Sequence, residues 1–357
     1  MKPTSSLKSI FSLTLEELTK IFDEHGFKSS GAIVIYKAIY KKFNFDIDSI
    51  APLAEESSRF IKESFSFSLP RIVNIQKSSD LTVKFLMEME DGHRVETVLI
   101  PFLKKYTICL SSQVGCAMKC SFCFTGMQGL SRNLKVSEIV GQYLVAYKWL
   151  IDNRPEKLAA PNIVYMGQGE PLHNFENVKS SINVFLVPNG LHLGFRQITL
   201  STAGYIPGIE RFNELPNINL ALSLHSPNDK LRNELIPLNK KFNLESLFKN
   251  LDKIKLLKRQ FIAYEYLLIK DLNDRDEDIA LLAKWLSNRR SILNIIPFNE
   301  FPGAPYKRPT NERVVYFQKE LEKYGLSVKV RATKGSDILA ACGQLNTNKG
   351  PLDSISF

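Results

Sequence analysis

Three cysteines of the chain have a spacing that suits a metal cluster. Cys116, Cys120 and Cys123 form the pattern C-x3-C-x2-C. Three thiolates can hold three irons of a [4Fe–4S] cubane and leave the fourth iron open, whereas a structural zinc ion more commonly takes four ligands. No histidine lies nearby, and Cys109, the nearest other thiol, is predicted to lie within a strand. The pattern therefore favours an iron–sulfur site over zinc, with buried free thiols as the remaining alternative.

An open iron needs a ligand from outside the chain. The amine and carboxylate of S-adenosylmethionine (SAM) can bind such an iron, and electron transfer to the sulfonium then yields a 5′-deoxyadenosyl radical. Phe122 precedes the third thiol, where its ring can lie against a bound adenine or pack in the core. The cysteine pattern thus predicts a site for SAM as well as for the cluster.

Polar and small residues follow several predicted strands. Gly169 and Glu170 come after the apolar run Ile163–Met166, and the Glu170 carboxylate can accept a hydrogen bond from the SAM amino group. The other residues of this kind are Ser201, Ser223, Leu224, His225 and Asn299. Because the carboxyl ends of parallel strands meet at one edge of a sheet, we expect a binding site there. Taken singly, each residue is better explained as a local cap or turn, so the inference depends on the set.

Short apolar strands alternate with amphipathic helices from Tyr106 onward. This alternation predicts an α/β fold whose parallel sheet is buried on both faces and either winds openly or curls into a barrel. The predicted strands are Tyr106–Ser111, Ile163–Met166, Gln197–Leu200, Asn219–Leu224, Ala263–Leu268, Leu293–Pro297 and Leu326–Val330. The predicted helices include Val136–Leu150, Leu244–Lys255, Asp276–Ser287 and Asn311–Tyr324.

The N-terminal part of the sequence predicts helices followed by a β-hairpin, unlike the alternating strands and helices of the rest of the chain. A capping box at Thr14–Glu17 predicts a helix start, and further helices are expected over Ala32–Lys42 and Ser57–Ser64. The runs Leu81–Glu88 and Arg94–Ile100 alternate in character and meet at Asp91-Gly92, which predicts a β-hairpin. We therefore expect a small accessory module before the α/β core.

Composition limits the partners and the compartment. The chain of 357 residues carries a formal charge of +10, which suits a polyanionic partner. Lys104, Lys105 and Lys240 are candidate phosphate contacts, although they can equally be solvated surface. No apolar run approaches a membrane span, and the N-terminus lacks the apolar core of a signal peptide, so we expect a cytoplasmic protein without a membrane partner.

Six segments together resemble the RlmN/Cfr family of radical SAM RNA methyltransferases, and most closely its RlmN branch. They run over most of the chain and are far more specific than the cysteine pattern alone. The segments are Ser111–Cys116, Ser131–Leu134, Gly169–Leu172, Ser223–Asn228, Phe301–Tyr306 and Ala340–Leu345.

The resemblance implies a fold, a reaction and partners. The fold is a partial (β/α)6 radical SAM barrel over residues 94–345, with an N-terminal RNA-handling domain over 1–93 and a tail over 346–357. The reaction is methylation at C2 of an adenosine in 23S ribosomal RNA and of an adenosine in the tRNA anticodon loop, by a monomer that takes electrons from a flavodoxin-like donor. Whether ribosomal RNA, tRNA or both are bound stays open, because the segment around Lys28–Lys42 departs from the family pattern.

The resemblance also implies roles for individual residues. Cys342 matches the cysteine that is methylated and then bonds to RNA, Cys109 matches the thiol that resolves this adduct through a disulfide, and Glu96 matches the proton acceptor. Gly169, Glu170, Ser201, Ser223, Leu224, His225 and Asn299 match SAM-binding positions. Without the resemblance, Cys342 would be read as a buried structural thiol and Glu96 as an exposed hairpin carboxylate.

The chemistry of adenine explains why such a scheme is needed. C2 is an electron-poor carbon and does not attack SAM directly, whereas a carbon radical formed on a cysteine-bound methyl group can add there. Two rival interpretations remain: methylation at C8 of the adenine, as in the Cfr branch, which uses the same cysteines, and a non-catalytic metal-stabilised RNA-binding protein.

Overall fold

The structure is a computed structural model that describes residues 7–102, 105–154, 159–301 and 303–347. The N-terminal module contains two short parallel strands and three helices. In chain order they are β1 (Lys8–Ser9), α1 (Leu15–Glu24), α2 (Ser29–Lys42), α3 (Glu55–Ser64) and β2 (Phe65–Ser66). The predicted capping box is confirmed: Thr14 Oγ1 accepts from Glu17 N at 3.3 Å, and Glu17 Oε2 accepts from Thr14 N at 2.7 Å.

The N-terminal helices pack on the rest of the chain through aromatic side chains. Leu18 and Phe22 of α1 are fully buried, and Phe43, just after α2, makes an edge contact with Tyr147 at 4.9 Å between ring centroids. The buried residues of the module and those of the α/β core belong to one continuous apolar cluster. The helices therefore share a core with the barrel-like domain.

Three antiparallel strands connect the module to the core. They are β3 (Arg71–Lys77), β4 (Val83–Glu88) and β5 (Arg94–Phe102). The predicted hairpin is confirmed, because β4 pairs with β5 around the Asp91-Gly92 turn. The structure adds β3, which the sequence did not reveal because most of its side chains are at least partly exposed. The division expected between residues 93 and 94 passes through this hairpin and stays a prediction.

Strands and helices alternate over the rest of the described residues. In order they are β6 (Lys105–Cys109), β7 (Gln113–Gly115), α4 (Phe124–Met127), β8 (Leu130–Asn133), α5 (Val136–Asn153), β9 (Asn162–Tyr165), α6 (Phe175–Leu186), β10 (Ile198–Thr202), α7 (Ile206–Ile209), β11 (Asn219–Ser223), α8 (Asp229–Leu235), α9 (Leu244–Leu251), β12 (Ile262–Leu268), α10 (Asp276–Leu286), β13 (Ser291–Pro297), α11 (Asn311–Lys323) and β14 (Val328–Val330). All of these strands except β7 and β8 are parallel to one another in one sheet. Each strand predicted for the core overlaps an observed strand.

One sheet contains ten strands, seven of the α/β core together with β3, β4 and β5. Its order is β14-β13-β12-β11-β10-β9-β6-β5-β4-β3, and the strands from β6 to β14 in this order are parallel. Sequential parallel strands with helices between them are the arrangement of a partial α/β barrel, so the predicted fold class is confirmed. The antiparallel strands β5, β4 and β3 extend this sheet beyond its first parallel strand.

A small hairpin shapes the loop that follows β6. Strand β7 pairs with β8, and a side chain at Gly115 would overlap the carbonyl oxygen of Gly129. Arg132 of β8 donates to Glu138 at 2.8 Å and to Asp91 at 2.6 Å. The cysteine loop therefore lies between two strands that are tied to α5 and to the β4–β5 turn. In the part of the chain that the structure describes, no helix is long and apolar enough to span a membrane.

Candidate active site

The three cysteines of the C-x3-C-x2-C pattern lie in the loop between β7 and α4. Cys116 N donates to Gly129 O at 2.8 Å, which ties the start of the loop to the β7–β8 hairpin. Cys123 N donates to Cys120 O at 3.1 Å and precedes α4 directly. A Cβ atom at Gly126 would lie 2.9 Å from Cys120 O, so a glycine there lets α4 approach the loop closely.

The cysteines are compatible with a cluster. Burial raises the pKa of Cys116 to about 12 and raises the pKa of Cys120 and Cys123, so each thiolate requires a bound cation to be stable. Within the described ranges, no three Cys, His, Asp or Glu side chains converge on one metal ion. A cubane makes no such demand, because each of its three thiolates binds an iron of its own.

A buried arginine lies beside the cysteine loop. Arg232 of α8 is 1% exposed, and burial lowers its pKa to about 10 although Cys120 acts in the opposite direction. Its guanidinium donates to three backbone carbonyls and to one side-chain amide: Leu224 O, Ser223 O, Ala203 O and Asn239 Oδ1. A buried cation beside three thiols favours the negatively charged thiolate form of these cysteines. Arg232 could not be recognised from the sequence alone, because an arginine on an amphipathic helix ordinarily faces solvent.

Glu170 follows β9 and points into the sheet edge. Its Oε2 accepts from Ala203 N at 2.7 Å and its Oε1 accepts from Leu172 N at 3.1 Å. Burial raises the pKa of this carboxyl to about 7 against the effect of these hydrogen bonds. The carboxylate interacts electrostatically with Cys116 and Cys120, so it lies on the cluster side of the site. A carboxylate in this position can accept from the amino group of a bound SAM.

The glycines before Glu170 allow two backbone segments of the protein to pack closely. A Cβ atom at Gly169, whose φ is +98°, would lie 2.6 Å from Gln113 Cβ, and one at Gly167 would lie 2.7 Å from Leu110 O. Gln113 Oε1 in turn accepts from Glu170 N at 2.9 Å. These glycines therefore let the backbone before Glu170 pack closely against the segment after β6. This packing positions Glu170.

His225 and Phe122 join the end of β11 to the cysteine loop. Their rings meet edge to face at 4.7 Å between centroids. His225 Nδ1 accepts from Leu267 N at 3.0 Å, so the ring is held by β12, and burial followed by the charge of Arg232 lowers its pKa to about 3. The ring is therefore a neutral acceptor at physiological pH.

The remaining predicted residues lie at the same ends of the strands. Leu224 is fully buried and its N donates to Glu265 O at 2.9 Å, while Ser223 and Ser201 are partly exposed near the ends of β11 and β10. Asn299 lies two residues after β13, and its Oδ1 accepts from Thr333 Oγ1 at 2.8 Å. These residues follow neighbouring parallel strands, so the structure brings the predicted set to one edge of the sheet.

Cys342 lies in a loop that docks on the start of α4, directly after the cysteine loop. Phe124 N donates to Gly343 O at 2.7 Å, and Thr125 Oγ1 donates to Leu345 O at 2.8 Å. Cys342 is exposed, yet enough protein surrounds it that desolvation raises its pKa, and electrostatic interactions with Glu265 and Cys123 act in the same direction. The loop therefore carries its thiol close to the cluster site.

Cys109 lies on the other side of Cys342. It is buried at the end of β6 in a small apolar cluster with Val98, Ala340 and Leu345. Burial and then the neighbouring Cys342 raise its pKa. All five cysteines are free, so the disulfide implied by the resemblance is not formed in this structure.

Glu96 is a buried carboxylate and not an exposed hairpin residue. It is 5% exposed on β5 and forms an ion pair with Lys84 of β4 at 2.9 Å. Its Oε2 accepts from Asn346 N at 2.8 Å. Burial raises the pKa of Glu96 although Lys84 lowers it. Sequence reasoning missed Lys84, because a lysine in an alternating strand is ordinarily assigned to the solvent face.

The candidate phosphate contacts are less informative. Lys105 and Lys240 are exposed, which suits a contact with RNA and equally suits solvated surface. Lys104 lies outside the described residues. Two residues of the Phe301–Tyr306 segment contact the cysteine loop and α4: Phe301 stacks on Phe124 at 5.1 Å, and the hydroxyls of Tyr306 and Ser121 are 2.7 Å apart.

Known proteins are similar to this chain over almost its whole length. A family model for the radical SAM superfamily matches residues 110–283. The probable dual-specificity RNA methyltransferase RlmN of Aquifex aeolicus is 40% identical over 98% of this chain and 100% of its own length. The dual-specificity RNA methyltransferase RlmN of Lawsonia intracellularis is 42% identical over 90% of this chain and 91% of its own. The crystal structure of a radical SAM methyltransferase from Sphaerobacter thermophilus matches with a TM-score of 0.87 and 35% identity, covering 95% of this chain and 99% of that one.

Proposed function

The chain belongs to the RlmN family of radical SAM RNA methyltransferases, and from this premise we propose that it methylates C2 of an adenosine in 23S ribosomal RNA and of an adenosine in the tRNA anticodon loop. The observation that carries the proposal is the position of Cys342. Its loop lies between the cysteine loop on one side and Cys109 on the other. A thiol that carries a methyl group, reacts with a base and is then resolved needs both neighbours.

The cofactors are assigned to the edge of the sheet. Cys116, Cys120 and Cys123 would hold a [4Fe–4S] cluster, and Glu170 would accept from the amino group of SAM. Phe122, Gly169, Ser201, Ser223, Leu224, His225 and Asn299 would line the rest of the SAM site. When bound, the cluster and SAM supply the radical that removes a hydrogen atom from a methyl group.

The side chains of this protein have three roles in the reaction. Cys342 carries the methyl group and forms the bond to C2 of the base. The Glu96 carboxylate, whose proton affinity is increased by burial, accepts the proton from C2. The Cys109 thiol then loses its proton and bonds to the sulfur of Cys342 as a disulfide, while the bond from that sulfur to the transferred carbon breaks. The electron pair of this bond stays on the carbon, which takes up a proton to complete the methyl group, and the methylated RNA is released. The step requires the two Cα atoms to approach to roughly 4.4–6.8 Å.

The N-terminal module and the positive charge would serve RNA binding. The formal charge of +10 favours a polyanion, and the module joins the core through β3, β4 and β5. The electron donor proposed for the cluster is a flavodoxin-like protein, and the enzyme is proposed to act as a monomer.

Nucleoside analysis tests the proposal directly. Anaerobically reconstituted protein is incubated with SAM, a reductant and either a 23S RNA fragment or a tRNA, and the digested RNA is examined by mass spectrometry. We expect 2-methyladenosine from both RNAs. 8-Methyladenosine would assign the reaction to C8, and methylation of one RNA alone would restrict the substrate. Reconstituted protein that neither cleaves SAM nor modifies RNA would favour a metal-stabilised RNA-binding protein.

A further inference from the structure

A buried lysine connects the proposed base to the loop of the methyl-carrying thiol. Lys84 Nζ is 2.9 Å from Glu96 Oε1 and donates to Leu339 O at 3.1 Å. The other oxygen of Glu96 accepts from Asn346 N at 2.8 Å. Cys342 lies between Leu339 and Asn346 in the chain, so the ion pair holds its loop at both ends.

The ion pair between Lys84 and Glu96 is buried and is not a surface salt bridge. The side chains of Lys84 and Glu96 are only 8% and 6% exposed. Taking two charges out of water costs several kcal/mol per ion, and a buried pair often stabilises the fold no better than apolar residues of similar size. Because the fold gains little from this buried ion pair, the presence of Lys84 and Glu96 beside the Cys342 loop indicates a functional role.

We propose that Lys84 is a positioning residue for the methyl transfer: it holds the Glu96 carboxylate ionised and keeps it in register with the Cys342 loop. This inference rests on the proposed function and goes beyond the roles of the three reacting residues. It adds no step and no co-reactant to the proposed reaction, since the proton transfer to Glu96 is already part of it. The C2–H bond breaks, its electron pair stays in the base–enzyme adduct, and a Glu96 oxygen binds the proton.

Two groups around the Glu96 carboxylate favour its charged form, the Lys84 ammonium and the backbone N–H of Asn346, and Lys84 is the charged one. The backbone of Glu96 contacts Gln168 Oε1 and Ser111 Oγ, which are neutral, and Cys109 on the neighbouring β6 is a neutral thiol whose pKa is raised. Lys334 and Asp337, on the Cys342 loop itself, contact the β3–β4 turn instead. Burial raises the pKa of Glu96 and Lys84 lowers it, so removing Lys84 raises it further.

The test is the pH dependence of RNA methylation by the reconstituted full-length enzyme, using the RNA that the wild-type protein modifies. Lys84→Met is expected to keep its cluster, to cleave SAM and to methylate Cys342, but to methylate RNA at least tenfold more slowly near neutral pH. The acid limb of its rate profile is expected to move to higher pH by about one pH unit, because an unpaired Glu96 is ionised only at higher pH. Lys84→Arg, which keeps the charge, is expected to retain the wild-type acid limb.

Asp337→Asn is the matched control, since it weakens the same loop at its contact with Ser78 without touching Glu96. It is expected to change the rate without moving the acid limb. If Lys84→Met does not fold, Lys84→Gln carries the same expectation with hydrogen-bond donors retained. A wild-type acid limb in the uncharged variants, or an equal displacement in Asp337→Asn, would overturn the proposal. Wild-type enzyme that makes no 2-methyladenosine would instead refute the proposed function.

Discussion

Replacing Gly169 by alanine is expected to destabilise the protein much more than the same change at another glycine with positive φ. Gly169 has a φ of +98°, and Gly92, in the β4–β5 turn, has a φ of +83°. Both changes carry the cost of a side chain in this region, about 1–2 kcal/mol. At Gly92 nothing lies within 4 Å of the added atom, whereas at Gly169 it would lie 2.6 Å from Gln113 Cβ and 2.8 Å from Gln113 N.

The contact with Gln113 sets the difference between the two variants. Its backbone cannot give way as the end of a flexible side chain can, so we expect an overpacking cost of about 1–3 kcal/mol in addition. Gly92→Ala should therefore lower the free energy of unfolding by about 1–2 kcal/mol, and Gly169→Ala by about 2–5 kcal/mol. Displacing Gln113 also breaks its bond to Glu170 N, so SAM binding should weaken in Gly169→Ala alone.

Urea unfolding under anaerobic conditions, followed by far-ultraviolet circular dichroism, measures the first effect, and equilibrium binding of SAM measures the second. The m-values should stay unchanged, because neither substitution alters the surface exposed on unfolding. Equal losses of stability in the two variants would refute the reasoning from close packing. Unchanged SAM affinity in Gly169→Ala would separate Gln113 from the positioning of Glu170.

Three further outcomes are expected. Alanine at Cys116, Cys120 or Cys123 should abolish iron retention and SAM cleavage, measured by iron analysis and visible absorbance; a double variant that keeps about four irons would contradict the assignment. Cys109→Ala should accumulate a nuclease-sensitive protein–RNA adduct on a denaturing gel, and adding Cys342→Ala should remove it; normal turnover without an adduct would leave Cys109 as a packing residue. RNA affinity should fall with salt, log K dropping roughly linearly with log[salt], and flat binding between low and moderate salt would argue against phosphate contacts.

The core of the fold could be predicted because its signals are local. Apolar runs such as Ile163–Met166 and amphipathic helices such as Val136–Leu150 follow from period and composition alone, and both lie close to the observed elements. Strand β3 could not be predicted in this way. Its side chains are mostly exposed or partly exposed, so it has no apolar face to mark it, and its place depends on pairing with β4.

The residues of the candidate site also differ in whether a local sequence pattern marks them. Cys116, Cys120 and Cys123 are visible because their spacing is itself the signal. Arg232 and Lys84 are not, because their importance comes from burial against residues far away in sequence, such as Ala203 for the first and Leu339 for the second. For Glu96 the family resemblance implied a role, but only the structure shows that its side chain is buried and forms an ion pair with Lys84.

The anchoring of the Cys342 loop limits how far its sulfur can travel. With Leu339 held by Lys84 and Asn346 held by Glu96, only three residues lead from the first anchor to the thiol. Such a tether spans at most about 10 Å when fully extended. The proposed exchange of the Cys342 sulfur between the cysteine loop and Cys109 therefore has to take place within this length for as long as both anchors are kept.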